Sequence, residues 1–165
     1  MAQDKMEVFY SPIGGAGQIG MNLYLYGYKL PNNETNWIMV DCVIGFADDY
    51  YPGIDIMVPD IDFLNNKQNN LLAIILTHSH EDHYGAVSSI INNKIDVPIY
   101  CTKFTSELLK EKISEDYSEN YLDIKILKDN AAFNIGKFKC NLINVAHSIP
   151  EPNAINITIG DINII

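Results

Sequence analysis

The sequence predicts an α/β (α+β) domain built on a mixed β-sheet with flanking helices. Of its 165 residues, 47% are hydrophobic and 19% are charged, a balance typical of a globular core and not of a disordered chain. Strand-like segments outnumber helical ones. The longest apolar run, Leu71 to Leu76, is typical of a strand buried on both faces of a sheet. It is far too short to span a membrane.

Three strands are predicted to follow one another as a meander near the N-terminus. The first covers Glu7 to Ile13, and the second, Met21 to Tyr28, alternates apolar and polar residues. Residues Pro31 to Thr35 have the composition of a hairpin loop. The third strand covers Trp37 to Val40 and ends at Asp41.

The rest of the chain alternates strands with helices. Residues Gly45 to Asp60 carry glycine, proline and aspartate and predict a long loop, followed by a helical turn over Ile61 to Asn66. A helix is expected over His83 to Asn92, because Asp82 near its start suits the helix dipole. The remaining predicted elements are a strand over Val97 to Cys101, a helix over Phe104 to Ile113, and strands over Tyr121 to Leu127, Lys137 to Val145, Ile155 to Ile159 and Ile162 to Ile165.

The charge balance argues against a nucleic-acid-binding surface on this chain alone. Twenty-one acidic residues oppose eleven basic ones, and the net charge is −10. All of the basic residues are lysine. A domain that binds the phosphates of a nucleic-acid backbone by itself normally carries a basic patch. We therefore expect weak binding of RNA or DNA.

The cysteines and the N-terminus favour a cytoplasmic protein. Cys42, Cys101 and Cys140 are odd in number and far apart, so they form neither a CxxC metal pair nor a disulfide framework. Such cysteine usage is typical of a reducing compartment. The polar N-terminal segment also lacks the apolar core of a signal peptide.

The strongest chemical signal is a cluster of metal-ligand side chains directly after the buried strand. In the sequence from His78 to His83, His80 lies two residues after His78, so both side chains point the same way in an extended backbone. Asp82 and His83 follow as the chain turns into the predicted helix. Imidazole and carboxylate are the ligands that zinc prefers in catalytic sites. His147 follows another predicted strand and is a natural third imidazole.

Two further features have both a functional and a purely structural interpretation. Asp41 closes an apolar strand, where it is either a turn former or a carboxylate that orients a ligand histidine. The segment from Gly15 to Gly20 matches G-x-G-x-x-G. That motif must open a helix to bind a dinucleotide, whereas here it precedes an alternating strand. We therefore expect that these glycines form a tight turn near the metal loops and that no residues bind a nucleotide cofactor.

These residues identify a resemblance. His-x-His-x-Asp-His is the signature of the metallo-β-lactamase superfamily, and the chain resembles the N-terminal part of the ribonuclease J family in its β-CASP group. The similar stretches span about Val8 to Ile165. They are GGAGQIGMN, VDCVIGF, PGIDIMVPD, LTHSHEDHYGAV, VPIYCTKFTSELLKEK and NVAHSIPE.

The resemblance implies the N-terminal half of an αββα sandwich and a zinc-dependent RNA hydrolase with 5′-exonuclease and endonuclease activity. It implies that His78, His80 and His147 hold a first zinc ion. It implies catalytic roles for Asp82 and His83, which would begin a second metal site. Asp41 would support the metal loops, and RNA would be the substrate.

The resemblance also implies that parts of the family's protein are missing here. Its metal-bridging aspartate, the last histidine of the second site, the second sheet and the β-CASP domain would all follow Ile165. We therefore expect a single partial domain over residues 1–165 with weak or no activity. Because three histidines suffice for one catalytic zinc site, we expect about one bound zinc ion. An exposed apolar sheet face would favour a homodimer or a complementary chain carrying the missing half.

Two alternatives remain open at this point. One is a catalytically inactive metal-binding remnant, or half of a split protein. The other is a different metallo-β-lactamase hydrolase that acts on a small ester or thioester.

Overall fold

The N-terminal strands form the antiparallel half of a six-stranded sheet. The computed structural model describes residues 6–17, 21–46, 52–54, 56–66, 69–92, 96–114 and 122–165. Within them, β1 (Val8–Pro12), β2 (Tyr24–Lys29) and β3 (Thr35–Val40) pair as a meander. Alternation along β2 turns Leu25 to one face and Tyr28 to the other. The three predicted strands are confirmed, with small differences in their bounds.

The other half of this sheet is parallel. Strands β6 (Asn69–Ile75), β7 (Ile99–Thr102) and β8 (Ile124–Leu127) extend it in the order β1-β2-β3-β6-β7-β8. The apolar run in β6 is buried on both faces as expected. Ile74 belongs to the core under the helices, and Ile75 belongs to the core on the opposite face.

The helices cover one face of the sheet. The helix α3 (Lys103–Ser114) buries Leu109 and Ile113 in the core beneath it, close to the predicted bounds. The single helix expected over His83 to Asn92 is instead two short helices, α1 (Glu81–Tyr84) and α2 (Val87–Asn92). The helix breaks because Ala86 donates its N–H to the carbonyl oxygen of Cys42 (2.9 Å) and not to a residue one turn earlier.

The predicted loop between β3 and β6 contains some regular structure. A two-stranded sheet joins β4 (Gly45–Phe46) to β5 (Ile56–Met57), and the expected helical turn is a 3₁₀ helix over Asp62–Asn65. Residues 47–51 and 55 of this segment lie outside the described residues.

A second, antiparallel sheet follows the first. It consists of β9 (Ala132–Ile135), β10 (Phe138–Asn144), β11 (Asn153–Ile159) and β12 (Ile162–Ile164), in the order β12-β11-β10-β9. The sequence did not predict β9. It is joined to β10 by a tight turn in which Gly136 adopts a positive φ of 55°. A β-carbon at Gly136 would lie 2.7 Å from the hydroxyl of Tyr28, so the turn requires glycine.

The second sheet packs directly on the first, and the expectation that a second sheet is missing is wrong. Ile38 and Ile75 of the first sheet are fully buried in one apolar cluster with Phe138 and Ile157 of the second. The rings of Tyr28 and Phe138 lie 5.0 Å apart between centroids. The described chain therefore has three layers, helices on a mixed sheet on an antiparallel sheet, and its first sheet is covered on both faces. No helix among the described residues is long and apolar enough to cross a membrane.

Candidate metal centre

Three loops meet at one edge of the two sheets. Strands β3 and β6 run parallel, so the loops that follow Val40 and Ile75 leave the same edge of the sheet. The loop after β10 joins them, because Asn153 donates its N–H to the carbonyl oxygen of Thr77 (3.2 Å). This convergence explains how residues distant in sequence reach one site.

The loops bring together three of the predicted ligands, His78, His80 and His147. Their candidate ligand nitrogens all lie within 4.8 Å of one another. Nε2 of His78 is 3.1 Å from Nδ1 of His80, and the His147 ring lies 4.7 Å from the His80 ring between centroids. Two nitrogens that share a tetrahedral zinc ion at 2.0–2.1 Å are roughly 3.3 Å apart. The donor set and its spacing therefore fit a transition-metal ion such as zinc.

Asp41 connects two of the loops. Its buried carboxylate accepts the N–H of Thr77 (2.8 Å) and lies 2.8 Å from Nδ1 of His83. Its backbone has a left-handed φ of 59°. Asp41 is thus both a turn former and a carboxylate that orients a histidine, so the two interpretations of this residue are compatible.

Thr77 extends this network to the first histidine, although the sequence did not single it out. Its hydroxyl lies 2.9 Å from the Asp41 carboxylate and 2.9 Å from Nδ1 of His78. A hydroxyl has one hydrogen to donate. If that hydrogen goes to the carboxylate, Thr77 accepts from Nδ1–H of His78, which leaves Nε2 with its lone pair facing His80. The only sequence signal was the position of Thr77, directly before the first histidine.

His83 lies beside the three-histidine cluster, with its ring 4.0 Å from that of His78 between centroids. Donation from Nδ1 to Asp41 leaves its Nε2 as an acceptor, 3.3 Å from the side-chain nitrogen of Asn22. The hydroxyl of Tyr24 donates to the other end of that amide (3.3 Å). Asn22 was not identified from the sequence either, because an asparagine near the start of a predicted strand gave no chemical signal.

Asp82 lies next to this position with 45% of its side chain accessible, and its carboxylate is 3.7 Å from Nε2 of His83. Across the described ranges, the three-histidine group is the only set of three candidate ligands within metal-binding distance. Asp82 and His83 are therefore a pair of neighbouring potential ligands and do not form a comparable set.

The electrostatics of the buried His78 differ from those of the half-buried His83. Burial, followed by the neighbouring histidines, lowers the pKa of His78 to about 4, so this residue is neutral at pH 7, the form that binds a metal. Burial also disfavours the charged form of His83, but the hydrogen bond and the charge of Asp41 outweigh it and raise the pKa of His83.

The other sequence features have structural roles. Gly15 and Gly17 adopt positive φ values of 78° and 82° in a turn, and the chain continues from 21 to 23 without a helix; residues 18–20 of the motif lie outside the described residues. Cys42, Cys101 and Cys140 are buried and free. Burial raises the pKa of all three thiols, which disfavours the reactive thiolate.

Comparison with known proteins agrees with this fold. A family model described as a beta-lactamase superfamily domain matches residues 36–160. Ribonuclease J of Sinorhizobium meliloti is 45% identical over 155 residues, which cover 94% of this chain and 27% of that protein. Ribonuclease J2 of Bacillus subtilis is 31% identical over 139 residues, which cover 84% of this chain and 24% of that protein. The chain spans about a quarter of the length of these curated relatives.

Solved structures show the same fold at low sequence identity. A protein of unknown function from Enterococcus faecalis aligns with a TM-score of 0.65 at 19% identity, over 87% of this chain and 39% of that one. The metallo-β-lactamase fold protein YhfI from Bacillus subtilis aligns with a TM-score of 0.57 at 16% identity, over 97% of this chain and 61% of that one. Because the family model spans most of the sequence and the architecture agrees with it, this chain belongs to the metallo-β-lactamase superfamily.

Proposed function

We propose that this chain carries the first metal site of a ribonuclease J-like, zinc-dependent RNA hydrolase of the 5′-exonuclease and endonuclease class. The observation that supports it most is the convergence of His78, His80 and His147 on one point. The 45% identity to ribonuclease J of Sinorhizobium meliloti across nearly the whole chain supports the choice of RNA as substrate.

Zinc suits the three histidines better than a hard cation would. Three imidazoles and an open position are typical of a catalytic zinc site, whereas magnesium and calcium prefer oxygen ligands. A bound zinc ion lowers the pKa of its water ligand towards about 7 and polarises a phosphoryl oxygen. His78, His80 and His147 would hold this ion, and Asp82 and His83 would begin a second site.

The surrounding residues would prepare these ligands. Asp41 accepts from Nδ1 of His83, and Thr77 lies between Asp41 and Nδ1 of His78. Both contacts direct Nε2 of the histidine towards the site. Such supporting hydrogen bonds typically change metal affinity 10- to 100-fold when they are removed.

RNA turnover by this chain alone is expected to be very low. Two-metal hydrolysis requires both ions to be fixed a few ångströms apart, and the described residues contain no second group of three candidate ligands beside the first. The net charge of −10 also disfavours contact with a phosphate backbone.

Two assays test the proposal together. Zinc binding is measured on chelator-washed, zinc-reloaded protein and on its His78→Ala variant. RNA hydrolysis is measured with a 5′-monophosphorylated RNA and Zn²⁺ or Mn²⁺, with the same variant as control. We expect zinc binding that is lost in His78→Ala, and trace hydrolysis that is lost with it. If the protein binds zinc but shows no RNA hydrolysis that His78→Ala abolishes, the nuclease assignment is contradicted and the metal site remains supported.

That last result would support a second candidate function, metal binding without catalysis. Two observations favour it. The side chain of Asp82 is 45% accessible, and the described part of the chain has no second group of three candidate metal ligands. A remnant or one half of a split protein would have this property.

A further inference from the structure

The loop that carries His147 is exposed and has little packing of its own. From residue 145 to residue 148 every side chain is exposed, and Pro152 is the first buried residue after them. His78, by contrast, is buried and is held by the Thr77 hydroxyl. The position of His147 therefore depends on what anchors the ends of its loop.

One end of the loop is anchored by backbone contacts between the strands. Val145 donates its N–H to the carbonyl oxygen of Pro152 (3.2 Å), which closes the loop at its base. Asn153 then binds the carbonyl oxygen of Thr77 and so joins the base to the β6 loop. These contacts fix the base but not the orientation of the segment above it.

The second anchor is the side chain of Glu151. Its Oε2 accepts the backbone N–H of Phe104 at 2.8 Å, across 47 positions of sequence. Phe104 lies in the first turn of α3, where N–H groups have no helical acceptor and a carboxylate is favoured by the helix dipole. Thr102, the residue just before the helix, donates its hydroxyl to that of Thr105 (3.2 Å), so its one hydroxyl hydrogen is already used within the first turn.

The backbone of Glu151 is held in an uncommon conformation for this contact. Its φ is 53°, in the left-handed region that non-glycine residues seldom adopt. Asn153 donates its side-chain N–H to the carbonyl oxygen of Glu151 (2.8 Å), which stabilises that conformation. The same turn thus directs the carboxylate to α3 and returns the chain to β11.

We propose that Glu151 is a positioning residue, which ties the His147 loop to the N-terminus of α3 and so holds the third histidine in place for the metal. This inference rests on the proposed metal site. It adds to that site a link between a metal ligand and a helix on the far side of the first sheet.

The test measures zinc affinity by chelator competition in wild-type protein, in Glu151→Ala, and in each of these combined with His147→Ala. We expect Glu151→Ala to weaken zinc binding about tenfold in the presence of His147, as is typical of outer-shell partners. In the His147→Ala background the same change should have no effect on zinc affinity. A purely structural role would lower affinity to the same extent in both backgrounds.

Glu107→Ala is the matched control, because Glu107 is an exposed acid on α3 whose carboxylate lies 3.1 Å from Nζ of Lys110 on the same helix. It should change zinc affinity in neither background. Amide hydrogen exchange at Phe104 should quicken in Glu151→Ala but not in Glu107→Ala, whether or not zinc is present.

The outcomes separate the two proposals. Unchanged zinc affinity in Glu151→Ala, or an equal loss with and without His147, would overturn the positioning role of Glu151 while the metal site stands. Zinc affinity that is insensitive to His147→Ala itself would overturn the metal site and this inference with it. Glu151→Gln, which keeps an acceptor oxygen, should bind zinc with an affinity between those of wild type and Glu151→Ala.

Discussion

Nδ1 of His83 lies 2.8 Å from the carboxylate of Asp41 although the two residues are 42 positions apart, one directly after β3 and the other in the short helix after β6. The contact exists because parallel strands β3 and β6 deliver their following loops to the same edge of the sheet. Its effect is to fix which nitrogen of His83 faces the candidate metal site.

Asp41→Asn should weaken zinc binding by about 10- to 100-fold, the usual effect of losing an outer-shell carboxylate. The amide has one acceptor oxygen, whereas the carboxylate serves both Thr77 and His83. Zinc affinity from chelator competition is the measurement. Asp161→Asn, an exposed turn residue, is the control and should have no effect. Equal affinities for wild type and Asp41→Asn would show that the carboxylate does not orient the ligands.

The metal-free chain should lose stability on acidification because of His78. Its folded-state pKa is lowered to about 4, below the ordinary value of about 6.5, so the unfolded chain binds more protons between these values. By linkage, the His78 contribution to stability then falls as pH falls from about 6.5 to about 4. The pKa of His83 is raised, and its contribution has the opposite sign, being lost as pH rises through that pKa.

The His78 contribution is isolated by comparing thermal melts of chelator-treated wild type and His78→Gln at pH 7 and pH 5. The melting temperature of wild type should fall further from pH 7 to pH 5 than that of the variant. An equal loss in both proteins would show that His78 titrates normally in the folded chain.

Gly136→Ala should destabilise the protein by more than Gly160→Ala. Both glycines have nearly the same positive φ, 55° and 57°, so each substitution has a similar backbone cost of about 1 kcal/mol. Only at Gly136 would the new β-carbon collide with Tyr28, at 2.7 Å from its hydroxyl; at Gly160 the nearest atom, from Met6, is 3.8 Å away. Chemical denaturation measures the difference, and equal losses would contradict the close packing of the β9–β10 turn on the first sheet.

Phe138→Ala tests whether the second sheet covers the first. Phe138 is fully buried between the sheets, and removing a buried phenylalanine side chain typically costs about 3–5 kcal/mol. Binding of a hydrophobic dye should be weak in wild type and stronger in the variant. Strong dye binding by wild type that Phe138→Ala leaves unchanged would indicate that the second sheet does not cover the apolar face of the first.

Most of the fold follows from local sequence patterns, and the errors have physical causes. Strand β2 is predicted by its alternation of apolar and polar residues, and β6 by its continuous apolar run. Strand β9 has only four residues and a Gly-Lys turn, which is a weak hairpin signal. The break between α1 and α2 depends on hydrogen bonds to Cys42, a contact across the fold that periodicity does not contain.

The residues of the site also separate into those that the sequence predicts and those that only the fold reveals. The histidines were found from their spacing, since His-x-His-x-Asp-His groups potential ligands within six positions. Thr77, Asn22 and Glu151 act through contacts with residues 36 to 61 positions away, and their residue types are common on any surface. Only the folded arrangement distinguishes them from ordinary polar residues.

Elemental analysis of zinc decides whether three histidines from two loops hold one metal ion. Purified protein is washed with chelator, reloaded with zinc and freed of unbound metal, alongside His147→Ala and the control Asp161→Asn. We expect about one tightly held zinc ion per chain, on the ligand count of a single three-histidine site. That ion should be lost in His147→Ala and kept in Asp161→Asn. Two tightly held ions, none, or a zinc content that His147→Ala leaves unchanged would contradict this expectation.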